Sequence, residues 1–292
     1  MKECNLCPRK CGADRSRHKG FCKSGETIKA ARASLHFWEE PCISGKNGSG
    51  TIFFSGCNLR CVYCQNYMIS QENFGEEISE KRLSEVFLKL QESGAHNINL
   101  VSGTHFIPQI IEALDIVKDK LAIPVVWNTS GYETAQSLDM LKGYVDIYLT
   151  DIKYKSSELS KKYSDAEDYF EYASAAVKKM INQTGKPKQD HEIMTKGTII
   201  RHLVLPSSRR DSLEILDWLA ECFSPDDFVL SLMSQFTPVF KCSEHPEINR
   251  RVSTFEYNCV TKKAKELGFE GYIQEKSSAQ SEYTPSFDLT GL

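Results

Sequence analysis

Short apolar stretches alternate with longer amphipathic segments from residue 51 onward, and this alternation constrains the fold more than any other feature. The apolar stretches are rich in Ile, Val, Leu and Phe, which is typical of strands buried on both faces. Strands are predicted at 51–55, 97–102, 124–130, 145–154, 198–206 and 227–236. Helices are predicted at 79–94, 107–120, 134–142, 156–184, 212–223 and 255–269. Strands that alternate with helices indicate a parallel sheet covered by helices.

Six strand–helix units of this length predict a (β/α)6 partial TIM barrel, and a flat doubly wound sheet is the alternative. In both architectures ligands bind at the C-terminal ends of the strands. We expect a cysteine-rich metal-binding extension over 1–50, the barrel over 51–274 and a mobile polar tail over 275–292. Glu39 and Glu40 are expected to pack the extension against the barrel.

The composition excludes several classes of protein. Hydrophobic residues make up 40% of the 292 residues and charged residues 26%, which is enough for a sizeable core. The formal charge of −3 gives no electrostatic reason to expect nucleic acid or an anionic membrane as a partner. No apolar run approaches the roughly 20 residues of a membrane helix, and the N-terminus does not resemble a signal peptide. The sequence therefore predicts a cytoplasmic protein.

Cysteines are concentrated near the N-terminus, where eight of the 11 precede residue 65. In a reducing compartment such clusters bind metal or do redox chemistry more often than they form disulfides. Cys57, Cys61 and Cys64 directly follow the first predicted strand. Three thiolates on one loop can bind three irons of a cubane cluster and leave the fourth iron open to a small molecule. A zinc knuckle is the alternative, but it favours a second cysteine pair, and none follows Cys64.

A second set of cysteines lies near the start of the chain. Its spacing is Cys-x2-Cys-x3-Cys-x10-Cys, formed by Cys4, Cys7, Cys11 and Cys22. Four thiolates predict a closed site for a structural zinc or a second iron–sulfur cluster, which the spacing does not distinguish; we favour the second cluster. The isolated cysteines are expected to be small buried hydrophobes; they are Cys42, Cys222, Cys242 and Cys259.

The stretch "GSGTIFFSGCNLRCVYCQN" resembles the cysteine motif of the radical S-adenosylmethionine (SAM) superfamily. It is most similar to the branch that contains the activases of glycyl radical enzymes. The stretches "GAHNINLVSGTH", "NTSGYE", "DIYLTDIKY", "IIRHLVLP" and "SLMSQF" resemble an uncharacterised subfamily often described as pyruvate formate-lyase activating enzymes. The resemblance extends over roughly residues 1–274.

This resemblance implies that Cys57, Cys61 and Cys64 hold a [4Fe–4S] cluster and that SAM chelates its open iron. A reductant such as flavodoxin or ferredoxin would supply one electron, and SAM would be cleaved to methionine and a 5′-deoxyadenosyl radical that abstracts hydrogen. The most concrete expected reaction forms a glycyl radical on a partner enzyme. The alternatives are a radical SAM enzyme acting on a small molecule and a non-catalytic zinc-binding module, for example one that recognises RNA.

The resemblance also implies contacts to SAM near the first two strands. Tyr63 stands where the family usually has an aromatic residue near adenine, and Asn66 could bond polar atoms of SAM. The second strand ends in "VSGTH", where the superfamily commonly has Gly-Gly-Glu for the SAM amino group. Because the glutamate is missing, Ser102, Gly103 and Thr104 are expected to serve through backbone or hydroxyl groups.

Further SAM contacts are implied at the later strands. Asn128 and Thr129 belong to "WNTSG", which resembles the third strand end of the activases, although an aspartate is usual at the position of Asn128. Asp151 and Lys153 match an activase pair near the SAM carboxylate. Arg201 matches an arginine on the ribose or carboxylate side, and a guanidinium suits a carboxylate.

Some of these residues have structural interpretations. Asp151 and Lys153 lie on one face of a strand and could form a rim salt bridge. Arg201 could pair with a barrel carboxylate, and His202, on the opposite strand face, is expected to be structural. Gln235 stands where activases tend to have a histidine, so the chain departs from the activase pattern there as well as at the asparagine of "WNTSG".

Overall fold

The computed structural model describes residues 3–273 and 285–292, in which ten strands form an open sheet. The order across the sheet is β10-β9-β8-β6-β5-β4-β2-β1-β3, and β7 pairs with the first part of β8. The strands are β1 Ile28–His36, β2 Ser49–Phe54, β3 Glu76–Ile78, β4 Ile98–Val101, β5 Val125–Thr129, β6 Ile147–Asp151, β7 Lys188–Asp190, β8 Ile193–Leu203, β9 Val229–Met233 and β10 Gly271–Ile273.

Helices follow most of the strands. They are α1 Pro41–Ser44, α2 Tyr67–Ser70, α3 Glu80–Glu92, α4 Ile107–Val117, α5 Ala135–Leu141, α6 Ser157–Ser164, α7 Tyr169–Thr184, α8 Arg209–Cys222 and α9 Thr254–Glu266. Sequence periodicity predicted α3 within two residues at each end, because Ser79 caps its start and its apolar face is buried. The predicted helix 156–184 is two helices, since the chain turns at Asp165 with a left-handed φ of 51°. Within the described ranges, none of the helices is both long and apolar enough to cross a membrane.

The six predicted strands are present, in chain order, as neighbouring parallel strands from β2 to β9. The short β10 adds a seventh parallel strand at one edge. At the other edge β1 is antiparallel to both β2 and β3, so residues 28–36 of the predicted 1–50 extension are part of the sheet. Periodicity missed β1 because this strand carries Lys29, Arg32 and Ser34 among its apolar residues.

The larger helices cover one face of the sheet, which supports the partial barrel over the flat sheet, whereas the short α1 packs on the inner face against Val126 and Leu149. Ile52, Leu100, Trp127 and Tyr148 point outward from successive strands and pack with residues of α3, α4, α5 and α7. The inner face encloses a polar interior, where the Glu39 carboxylate accepts hydrogen bonds from β4 and from β8.

The end of the chain lies along β1, beyond the residues of this strand that pair with β3. The backbone N–H of Ala33 donates to the carbonyl of Thr290 at 2.8 Å, and Phe287 packs edge-on against Phe53 at 5.5 Å between ring centres. Arg32 also pairs with Asp288 at 3.0 Å. The expected mobile tail of 275–292 is therefore packed over 285–292, and its other residues lie outside the described part.

Candidate functional site

The cysteine loop begins where β2 ends, at the rim formed by the C-terminal ends of the parallel strands. Gly56 precedes it with φ +89°, and a Cβ there would lie 2.5 Å from the Cys22 carbonyl oxygen, so a glycine is required. The loop brings Cys57, Cys61 and Cys64 to the wall of one cavity of about 160 Å³. The three thiols that the motif predicted to act together therefore face a common space.

Each of the three sulfurs has a polar neighbour. The contacts are Leu59 N–H to Cys57 Sγ at 3.4 Å, Cys61 Sγ with Ser164 Oγ at 3.0 Å, and Cys64 Sγ with Ser70 Oγ at 3.2 Å. Burial raises the pKa of the Cys57 thiol to about 11 and that of Cys64 to about 12, so ligation must displace protons. Among residues 3–273 and 285–292, no three Cys, His, Asp or Glu side chains are close enough to hold a single ion. Thiolates that bind different irons of one cluster need not converge on a single point.

Most of the residues expected to contact SAM line the same cavity. They are Asn66, Ser102, Asn128, Thr129, Asp151, Lys153 and Arg201. Ser102 follows β4 in the left-handed region with φ +60°, a strained conformation for serine that is often found at functional sites. Ser130 also lines the cavity and was not predicted, although it lies inside the "NTSGYE" stretch.

Arg201 is the centre of a buried network of charged and amide groups. Its Nε donates to Asp151 Oδ1 at 2.9 Å, one terminal nitrogen to Glu39 Oε2 at 3.1 Å and the other to Asn128 Oδ1 at 2.7 Å. Lys153 donates to the second oxygen of Asp151. The structure thus contains the Asp151–Lys153 salt bridge and the pairing of Arg201 with barrel carboxylates, and both lie at the cavity wall.

The network fixes the charge of its members. Burial opposes ionisation of Asp151, but Arg201 and Lys153 more than offset it, so the pKa of this carboxyl lies below its usual value. Burial also opposes the charged form of Lys153, and the Asp151 carboxylate outweighs that effect and raises its pKa. The cavity therefore presents ion-paired groups of both signs.

Glu39 is a site residue that sequence reasoning assigned only to packing. It bonds Asn99 and Asn128 through Oε1 and Arg201 through Oε2. The available signal was the acid pair in "FWEEP", a short polar interruption within an apolar stretch. Only the tertiary fold shows that the loop after β1 turns into the barrel.

Four predicted contacts lie outside this cavity. Tyr63 lines a neighbouring cavity with Cys61 and Cys64, and its buried hydroxyl bonds Tyr154. Gln235 lines that second cavity as well. The other two, Gly103 and Thr104, belong to the loop after β4.

That loop is supported by a carboxylate from another segment. Gly103 packs on Trp127, where a Cβ would come within 2.9 Å of the indole. The Thr104 hydroxyl donates to Glu133 Oε1 at 2.7 Å, and the same oxygen accepts from Thr129 and Trp127. Burial raises the pKa of Glu133, a residue that sequence reasoning did not single out. The only feature of the sequence that pointed to Glu133 was its position as the acidic residue at the end of the "NTSGYE" stretch.

Comparison with known proteins decides the family. A model of the radical SAM superfamily matches residues 51–219, which is more than half of the chain. The chain belongs to the radical SAM superfamily. An uncharacterised protein of Methanocaldococcus jannaschii is 33% identical over 263 residues, spanning 87% of this radical SAM chain and 71% of the relative.

Solved structures share the fold. The FeFe-hydrogenase maturase HydG from Carboxydothermus hydrogenoformans gives a TM-score of 0.55 at 13% identity, with 80% of this chain and 59% of that chain covered. Methylornithine synthase (PylB) gives 0.50 at 15% identity, with 74% of this chain and 63% of that chain covered. The radical SAM chain spans about half to three-fifths of the solved structures that it matches. At these identities the likeness is one of fold, and it agrees with the predicted α/β architecture.

The four cysteines of the predicted N-terminal metal site differ in burial. Cys4, Cys7 and Cys22 are buried, whereas Cys11 is exposed. The sulfurs of Cys11 and Cys22 flank Gly20, where a Cβ would lie 3.3 and 3.5 Å from them. Since the described residues contain no three ligands around one point, the metal at these four cysteines stays a prediction.

The extension of residues 3–27 packs directly on the cysteine loop. Phe21 is sandwiched between the guanidinium groups of Arg9 and Arg60, each 4.1 Å from its ring centre. Arg9 donates to the carbonyl of Asn58 at 2.8 Å, and Arg60 donates to that of Cys57 at 2.9 Å. These contacts tie the N-terminal cysteines to the loop that carries the radical SAM motif.

Proposed function

We propose that this radical SAM enzyme holds a [4Fe–4S] cluster through Cys57, Cys61 and Cys64 and cleaves SAM reductively. The observation that carries the proposal is one cavity lined by these three thiols and by seven side chains expected to contact SAM. A cluster bound there would supply one electron to SAM, and the resulting 5′-deoxyadenosyl radical would abstract hydrogen from the substrate.

The side chains of the cavity suit the amino-acid end of SAM, which carries an ammonium and a carboxylate. Arg201 and Lys153 offer donors to the carboxylate, and Asp151 offers an acceptor to the ammonium. Asn66, Asn128 and the hydroxyls after β4 and β5 supply neutral hydrogen bonds. Because the charged groups are already ion-paired, they are held in place before SAM binds.

The substrate we propose is a glycine residue of a partner enzyme, with flavodoxin or ferredoxin as reductant. The support is the resemblance of the sequence to the activases, together with a large side opening. A cavity of about 1310 Å³ lies between the loop after β1 and the β7–β8 hairpin, and it reaches Glu39 and Gln235. Small-molecule pockets are usually about 300–1,000 Å³, so this opening has room for a peptide segment.

We further propose a second metal at Cys4, Cys7, Cys11 and Cys22, either a second cluster or zinc. The packing of Phe21 between Arg9 and Arg60 keeps this region beside the cysteine loop.

Metal content tests the cluster. Iron, zinc and sulfide per chain are measured in anaerobically purified protein, with and without combined replacement of Cys57, Cys61 and Cys64 by alanine. We expect the triple variant to lose about four irons and to keep any metal of the N-terminal site. The matched control replaces Cys222 and Cys259, which are half-buried, by alanine and should retain full iron. Zinc at both cysteine sets, with no iron in the wild type, would refute the proposal.

SAM binding tests the cavity. Arg201→Lys keeps the charge but loses the fixed fork that bonds Asp151, Glu39 and Asn128, so SAM binding in equilibrium dialysis should weaken about tenfold. The control Arg82→Lys changes an arginine at the surface of α3 and should bind SAM as the wild type does. Equal affinity of Arg201→Lys and wild type would place SAM elsewhere.

Electron paramagnetic resonance tests the substrate. The reduced, SAM-loaded enzyme is mixed with pyruvate formate-lyase, and a glycyl radical signal that depends on Cys57, Cys61 and Cys64 is expected. SAM cleavage without that signal would exclude this partner and leave the cluster and SAM assignments standing.

A further inference from the structure

A third cavity, of about 200 Å³, lies next to the SAM cavity, and we call it the inner cavity. It shares Asn66, Asn128 and Arg201 with that cavity, and it shares Trp38 and Tyr272 with the large side opening. It therefore lies between the opening through which a substrate would enter and the place where SAM would be cleaved.

Two buried acceptors in this inner cavity lack a hydrogen bond of normal geometry. Glu40 is 7% exposed and Ser231 is 1% exposed, and within the described part of the chain neither Glu40 Oε2 nor Ser231 Oγ makes a hydrogen bond of normal geometry, although the Ser231 hydroxyl lies near enough to the Glu40 carboxyl to lower its pKa. Both side chains line the inner cavity. A buried carboxylate oxygen without a partner is costly, commonly by about 1–3 kcal/mol, so such atoms are usually satisfied by a ligand.

In the interior, the acidic side chains outnumber the basic ones by one. Glu39, Glu40 and Asp151 are the carboxylates, and Arg201 and Lys153 are the cations. The two cations bond Glu39 and Asp151. Burial raises the pKa of Glu40, and the nearby charge of Arg201 opposes this.

We propose that the inner cavity binds an ammonium or guanidinium group of the substrate through Glu40 and Ser231. This inference rests on the proposed function, because it names the chemistry of the substrate that enters the same barrel. An ammonium donates three hydrogen bonds and a guanidinium five, and Glu40 Oε2 and Ser231 Oγ can both accept them, with the Ser231 hydroxyl also close to the Glu40 carboxyl.

The side opening is suited to the chain that carries such a cation. Phe37 and Trp38 line it and are 50% and 52% exposed. Aromatic faces bind methylene chains and attract cations by the charge distribution of their rings. The two sources of the cation, a free amine and a lysine or arginine side chain of a peptide, share this chemistry.

Calorimetry on the full, anaerobically reconstituted and SAM-loaded chain tests the inference. The probes are n-butylammonium, n-butylguanidinium, neutral 1-pentanol and the peptides Gly-Lys-Gly and Gly-norleucine-Gly with acetylated N-termini and amidated C-termini. We expect the cationic probes to bind and the neutral ones to bind at least tenfold more weakly. If only the free amines bind selectively, the natural cation belongs to a small molecule. If only the lysine peptide binds, it belongs to a peptide side chain. Either result supports the proposed site.

Variants of the inner cavity and of the rim of the side opening show where the cation binds. Glu40→Gln keeps the size of the side chain and removes the charge, so cation affinity should fall about tenfold to a hundredfold. Ser231→Ala should lower it about two- to tenfold, which keeps the test usable if Glu40→Gln does not fold. The control Glu192→Gln removes a charge from the exposed rim of the opening and should have little effect.

Cation binding that is equal to neutral binding, or unchanged in both Glu40→Gln and Ser231→Ala, would overturn the inference. SAM binding by the wild type distinguishes this failure from failure of the proposed function. A chain that binds SAM without selecting cations lacks the inner site, whereas a chain that does not bind SAM refutes the proposed function itself.

Discussion

Single buried side chains organise the candidate site. Glu39 and Glu133 each gather donors from different strands, Glu39 in the interior of the barrel and Glu133 beneath the loop after β4. A buried carboxylate is tolerated only when it is hydrogen-bonded, paired or protonated. Each therefore holds its partners in one arrangement, and replacing it should affect strands that are distant along the chain.

Glu133 should make stability depend on pH. Burial raises its pKa above the 4.5 of an exposed glutamate, so the folded protein holds this proton more tightly than the unfolded chain does. The corresponding stability is complete below the unfolded pKa and is lost as pH rises through the raised one. In Glu133→Gln, the apparent Tm should fall less with rising pH than in the wild type, measured between about pH 5 and 8.

The comparison isolates one group. Glu39 and Glu40 have pKa values shifted in the same direction, but they are present in both proteins and their effect cancels. Glu92→Gln, at the exposed end of α3, is the control and should leave the pH profile of the wild type unchanged. A Glu133→Gln profile parallel to the wild type would contradict the expectation.

At the scale of elements, the extension of residues 3–27 is joined to the cysteine loop by side chains and not by a sheet. Phe21 contributes its ring to two guanidinium contacts, each worth about 0.5–1 kcal/mol or more when shielded from water. The loop that carries the radical SAM motif is thus supported from outside the barrel by an element that has no strand or helix of its own.

Phe21→Ala should loosen this contact. We expect faster proteolysis within residues 3–27 and faster loss of iron to a chelator, because Arg60 lies between Cys57 and Cys61 and loses its stacking partner. The control Phe255→Ala removes an exposed phenylalanine of α9 that stacks on Arg209 at 4.8 Å. If both variants release iron at the wild-type rate, the extension does not support the loop.

At the scale of the whole molecule, the C-terminal residues 285–292 pack along β1, near one edge of the sheet. Residues 285–292 cover β1, and Phe287 packs on Phe53, which lines the inner cavity. Covering an edge strand protects its unpaired backbone groups from other chains. The tail therefore contributes both to stability and to the wall of the interior.

Phe287→Ala should lower the free energy of unfolding by about 1–3 kcal/mol, less than a fully buried phenylalanine would, because the ring is partly exposed. The measurement is the apparent Tm, with Phe74→Ala as the control at a phenylalanine that is 39% exposed. A variant as stable as the control would show that the tail only rests on the sheet.

The sequence by itself determined the parallel strands, the helices between them and the cysteine loop. Apolar periodicity and cysteine spacing are local, so β2, β4, β5, β6, β8 and β9 could be read without the fold. Local patterns failed for β1, whose polar residues suit an antiparallel edge. Local patterns also failed to predict that residues 285–292 pack on the sheet, because packing against a distant strand produces no hydrophobic periodicity in the sequence.

Only the tertiary structure decided which polar residues share the interior. Glu39 lies 162 positions from Arg201 along the chain, and Glu133 lies 29 from Thr104. Curvature of the sheet and the path of the loop after β1 bring these groups within 3.1 Å and 2.7 Å. A buried charge depends on partners that the whole fold places around it, and residue spacing carries no record of that environment.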